Sequence, residues 1–110
     1  MNDVKHTVVV DIDGTILDGD YDRNYPRPEV CAKVNKLFDE GWTVILFTAR
    51  GMFTCDGDAQ KAEEKERPRT EATLAKFGIR YTRLQFGKPA AIFYVDDRAL
   101  RPDEFANSDL

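Results

Sequence analysis

The chain reads as an α/β protein: a single Rossmann-like, three-layer domain with a mostly parallel central sheet. Three observations predict this. Short apolar runs at 8–10, 42–47 and 91–95 stop abruptly at polar or charged residues, and such runs mark strands covered on both faces. Segments with helical spacing alternate with them, and that order implies parallel pairing through crossovers. Acidic and basic residues stand just beyond the runs, where open α/β sheets hold their ligands. With 110 residues, the chain fits one domain spanning 1–110.

The elements follow in order. His6 to Asp11 is the first strand, and residues 1–5 before it are polar and expected to fray. Gly14 to Pro28 is turn-rich, and Asp18-Gly19 suggests a small hairpin. Pro28 suits the first turn of a helix. Val30, Val34, Leu37 and Phe38 give that helix one apolar face, and Gly41 ends it. Trp42 to Phe47 is a second buried strand, with Trp42 in the core. Residues 51–67 lack an apolar face, although AQKAEEKER favours helix; they read as a loop or an exposed helical turn. Pro68 is expected to open the next helix, with Ala72, Leu74, Ala75 and Phe77 inward and Gly78 as its stop. Tyr81 to Phe86 is a further strand and Gly87-Lys88-Pro89 a turn. Ala91 to Val95 reads as a buried strand ending at Asp96-Asp97, and the tail holds a short helical turn near Pro102 before it frays.

Composition excludes several classes. The net charge of -4 argues against a nucleic-acid partner, since such domains are basic. No apolar stretch approaches a membrane span. The first strand begins too near the start for a secretory signal. Cys31 and Cys55 have no metal-type spacing and read as reduced thiols of a cytoplasmic protein. Asp18, Asp20, Asp22 and Glu29 imitate a calcium loop, but Arg23 stands where that loop needs glycine. The acidic run therefore reads as a solvated flap, and His6 as a surface residue.

Four clusters fall at strand ends: Asp11/Asp13, Thr48/Arg50, Lys88 and Asp96/Asp97. Two carboxylates two residues apart raise each other's pKa. A divalent cation, a shared proton or splaying into water would relieve them. Phosphoryl transfer explains the whole set. A carboxylate such as Asp11 can attack phosphorus and form an aspartyl-phosphate. A hard cation such as magnesium would bridge the two anions, with Asp96 completing its site. Lys88 and the Thr48 hydroxyl would hold phosphoryl oxygens. Asp13 would act as general acid and then base. Arg50 either binds substrate or pairs with a carboxylate.

DIDGT, LFTAR, GKP and FYVDD, in this order and spacing from Val8 to Asp97, resemble the four motifs of the haloacid dehalogenase (HAD) superfamily of phosphohydrolases. The resemblance implies Asp11 as nucleophile, Asp13 as acid/base, and Thr48 and Lys88 as phosphate binders, with Ala49 and Arg50 beside them in the substrate site. It implies magnesium held by Asp11, the Asp13 carbonyl and Asp96, with Asp97 orienting a metal water or Lys88. It also implies that the strands of the first and last motifs are neighbours. No gap has room for a cap domain, so the chain resembles capless members. YPRPEV and FYVDDRALRPDEF are similar to small phosphatases associated with capsular polysaccharide biosynthesis. That likeness implies a small phosphorylated metabolite, such as a sugar or polyol phosphate, as partner. It also allows a homo-oligomer that closes the site, with residues 51–67 as lid or subunit contact. Two alternatives stand: a phosphotransferase or mutase of the same fold, and a phospho-accepting receiver-like signalling module. A receiver carries its acceptor Asp mid-chain, and the strand ending at Thr48 offers none.

Overall fold

β-branched and aliphatic residues build three parallel strands, and helices cover them. The computed structural model describes residues 4–20 and 23–110; Asp22 of the acidic flap lies outside the described residues. A single 3-10 turn at Val4–His6 leads into β1 (Thr7–Asp11). There follow β2 (Leu17–Asp18), β3 (Tyr25–Pro26), α1 (Pro28–Asp39), β4 (Thr43–Thr48), α2 (Ala59–Lys76), β5 (Arg83–Phe86) and α3 (Pro102–Ala106). β4 lies in the middle with β1 and β5 parallel on either side. The register sets Val10, Leu46 and Leu84 in one row across the sheet. Those three side chains are buried among Val30, Val34 and Leu37 of α1, Leu74 of α2 and Phe105 of α3. This is the α/β architecture that the alternation of elements predicts.

The small hairpin expected after β1 is present: β2 and β3 pair antiparallel, Leu17 opposite Pro26. Pro28 opens α1 at its first turn, as proline's fixed φ favours. Trp42 packs on the core at half-burial and meets the exposed His6 ring edge-on. Both cysteines are free thiols, and burial pushes the Cys31 thiol up. The tail is fastened rather than frayed. Phe105 is buried, and the Lys33 ammonium donates to the Ser108 and Leu110 carbonyls, both at 2.7 Å. Among the described residues no helix is long and apolar enough to cross a membrane.

Two element assignments are overturned. The helix assigned to Pro68 onward begins nine residues earlier, at Ala59, and carries Pro68 inside it. Asp58 caps it by accepting from the Lys61 N–H at 3.1 Å. Arg67 pairs with Glu63 and Glu71 one turn away on either side. Its inward stripe is Ala62, Glu66, Thr70 and Leu74, small or polar residues that leave no hydrophobic signature, while Ala72 and Ala75 face solvent.

The second correction concerns Ala91 to Val95, which pairs with no strand among the described residues. Ile92, Phe93 and Val95 are exposed, Val95 at 98%. Local contacts hold this stretch instead: the Tyr94 hydroxyl donates to the Pro89 carbonyl, and the Lys88 ammonium sits over the Tyr94 ring. Hydrophobicity alone does not name a ladder partner, and Pro89 has no N–H to donate into one. β1 is consequently an edge strand, with Val9 exposed rather than covered on both faces.

Leu46 is fully buried at the centre of the sheet. Leu46→Ala should cost about 2–5 kcal/mol of stability by leaving a cavity, read by urea denaturation. A loss well under about 1 kcal/mol would contradict the central place of β4.

Candidate active site at the end of the parallel sheet

Strand periodicity places the acidic pair. Side chains alternate along an extended chain, so Ile12 is fully buried while Asp11 and Asp13 on either side of it remain half-exposed. The chain then turns sharply. Gly14 takes φ +81°, which glycine adopts without steric cost, and the Ile12 carbonyl accepts from the Thr15, Ile16 and Leu17 N–H groups. Asp11 and Asp13 are thereby set at the lip of a cleft of about 360 Å3, with Thr15 and Arg27.

Each carboxylate has its own cation. Asp11 Oδ1 lies 3.2 Å from the Lys88 ammonium, and Asp11 Oδ2 accepts from the Thr15 hydroxyl at 3.1 Å. Lys88 is positioned by its own backbone, whose N–H donates to the Thr48 carbonyl. Asp13 is gripped by Arg50: Nε and Nη2 donate to its two oxygens, both at 2.8 Å. Arg50 is fully buried. Its remaining donors reach Asn24 Oδ1 at 3.0 Å and Thr70 Oγ1 at 3.3 Å. The acidic pair is thus balanced by two side-chain cations rather than by a shared proton or by splaying into water. Of the two roles expected for Arg50, the structure places it in the carboxylate pair.

The other expected residues are not all gathered. Thr48 is 1% exposed, and its hydroxyl accepts from the Arg50 N–H at 3.0 Å, bracing the turn after β4. Thr48, Ala49 and Arg50 do not line the cleft. Asp96 and Asp97 lie in the exposed stretch, where Asp96 accepts from the Arg98 N–H. They are not brought to Asp11, because the segment before them does not pair with β1. No group of three or more His, Cys, Asp or Glu among the described residues is placed to hold a metal ion. Asp11 is an oxygen donor of the kind magnesium takes, but its two carboxylate oxygens are engaged by Thr15 and Lys88, and Asp96 does not stand beside it. As arranged, the residues present do not fit a magnesium site.

Sequence reasoning missed Thr15, Asn24 and Thr70. Thr15 carried a signal, four residues after Asp11 across a glycine turn. Asn24 and Thr70 carried none, since only the folded chain brings them to Arg50.

No protein-family model matches the chain, and no curated protein matches it. Among solved structures, a crystal structure of an MCSG target protein from Vibrio cholerae matches with a TM-score of 0.87 and 34% identity, over 94% of this chain and 89% of that one.

Arg50→Ala would leave Asp13 without its partner and open space beneath it. The expected cost is about 2–3 kcal/mol, from the space opened and the lost bonds to Asn24 and Thr70, since Asp13 itself stays half-exposed. Arg50→Lys should recover little, because an ammonium cannot reproduce a fork serving three acceptors. Urea denaturation reads both, and an Arg50→Ala variant within about 1 kcal/mol of wild type would contradict this account.

Proposed function

The chain belongs to the same family as the Vibrio cholerae protein, and we propose that it is a phosphatase of the HAD type, hydrolysing a phosphate monoester through an aspartyl-phosphate on Asp11. One observation carries the reading. Asp11 stands at the lip of the cleft, held by Thr15 on one oxygen and Lys88 on the other, with Asp13 two residues away.

An Asp11 oxygen attacks phosphorus while the ester P–O bond breaks, and the leaving alkoxide takes a proton from Asp13, which must first take one up on an oxygen released from Arg50. Water then attacks phosphorus and gives its proton to Asp13. The acyl-phosphate bond breaks, releasing inorganic phosphate and the free Asp11 carboxylate. A phosphate dianion approaching a carboxylate is repelled, and the Lys88 ammonium offsets that charge where it develops. Thr15 orients the attacking carboxylate, and Arg50 fixes Asp13.

The motif resemblance also implies a magnesium requirement. The present arrangement does not gather the ligands for it, so the requirement rests on the sequence motifs alone. A phosphotransferase would use the same first step, with an acceptor hydroxyl replacing water in the second.

Phosphate release from a panel of monoesters tests the reading, with magnesium and with EDTA. Asp11→Asn should lower release by at least roughly a thousandfold, the scale of losing a nucleophile. Its stability should stay within about 1 kcal/mol, since asparagine is nearly isosteric and only one half-buried pair and one hydrogen bond are altered. Near-wild-type release in that variant would remove Asp11 as nucleophile. Release unchanged by EDTA would remove the magnesium requirement.

A further inference from the structure

An open strand edge and an unpaired strand-forming segment occur in the same chain. β1 pairs with β4 on one side alone. Its outer edge, Val8-Val9-Val10, carries no proline, lysine or bulge to blunt it. Residues 91–95 have the composition of a strand, pair with none among the described residues, and leave Ile92, Phe93 and Val95 exposed. Contiguous apolar surface of this kind marks an interaction site.

The chain's own β1 is badly placed to take up the segment. The Lys88 N–H bonds the Thr48 carbonyl and its ammonium lies on Asp11, both at the C-terminal end of the sheet. A parallel strand over 91–95 would have to start near Thr7, roughly 13 Å back along β1. The chain from Lys88 to Ala91 spans at most about 11 Å, before any sideways travel past β4 and β1. An antiparallel strand would carry Asp97 level with Lys5, roughly 20 Å from the Asp11 end. The chain from Asp97 back to Pro102 at the cleft spans at most about 18 Å. A second copy is free of both limits, because its β1 can lie at any angle to the donor's cleft.

We propose that residues 91–95 add to the β1 edge of a second copy, antiparallel and reciprocally, joining two sheets in a symmetric dimer. Charge sets the direction. Parallel addition would bring Asp96 and Asp97 to the Asp11 and Asp13 end, acid against acid; antiparallel addition brings them to His6 and Lys5, at the basic end of the edge. The same register matches the faces. Phe93, 76% exposed, comes opposite Val9, 58% exposed, while Ile92 and Tyr94 come opposite Val10 and Val8 on the face that α1 covers. Covering these side chains and the edges beneath them, once in each direction, removes on the order of 1,500 Å2 from water, the size of a specific interface.

Sedimentation velocity at about 100 μM, where an interface of this size holds, reads the dimer directly and without reference to the phosphatase reading. Wild type should sediment as a dimer. Val9→Lys and Val95→Lys each put a charge into the joint and should weaken association at least about a hundredfold. Both positions are exposed in the single chain, so far-UV circular dichroism should not change. Asp97→Lys and Lys5→Glu should each weaken the dimer, and the two together should restore it, which a merely adhesive surface would not do. A wild-type monomer, larger open-ended species, or a dimer that neither valine variant weakens would overturn the proposal. A charge-swapped pair that fails to restore the dimer would overturn its antiparallel register.

Discussion

One buried guanidinium ties the site to the fold. Arg50 leaves the end of β4 and meets Asp13 beyond β1, Asn24 beside the small hairpin and Thr70 in the middle of α2. Burying a charge is costly unless its donors are met, and Asp13, Asn24 and Thr70, from three segments, are among the groups that meet them. The neighbouring backbone is equally constrained. Gly51 has φ +78°, and a Cβ there would come within 2.9 Å of the Ala62 side chain. Only glycine lets α2 approach the turn closely enough for Thr70 to reach Arg50. The acidic pair is therefore anchored by elements distant in sequence, and its geometry is a property of the whole domain.

That dependence explains what could be read from the sequence. β1, α1 and β4 were legible because their apolar residues repeat at strand or helix spacing, and because Pro28 and Gly41 punctuate the helix. The D-x-D spacing was legible for the same reason: period two buries Ile12 and frees the carboxylates flanking it. α2 was not, because its inward face serves Arg50 and a close glycine turn rather than an oily core. Glu66 and Thr70 on that face look like surface residues in one dimension. The Asp58 cap was the available signal, and it outranks the proline that sits a full two turns inside the helix. AIFYV misled for the opposite reason. It has the composition of a core strand, but composition does not provide a neighbour, and the segment folds locally around Tyr94, Pro89 and Lys88.

The site itself was half legible. Asp11, Asp13 and Lys88 come together as their positions at strand ends suggest. Their charge balance differs from each of the remedies considered for two adjacent carboxylates, since a lysine and an arginine take one carboxylate each. Arg50 belongs to that balance, and the Thr48 hydroxyl serves the turn that presents it. Asp96 stays with the exposed stretch after β5. YPRPEV and FYVDDRALRPDEF hold further charged residues of the cleft, but nothing in either stretch says that they meet. Glu29, Arg101 and Asp103 come together only because α3 returns to pack against α1, seventy residues on in the chain.

The proposed hydrolysis requires a covalent bond between Asp11 and phosphorus. Wild-type protein turning over a phosphate monoester, quenched in acid and digested, should yield the peptide containing Asp11 heavier by one phosphoryl group, and hydroxylamine should remove that mass, as it does for acyl phosphates. Phosphate release without any phosphoryl group on that peptide, or with the group on another residue, would contradict the account.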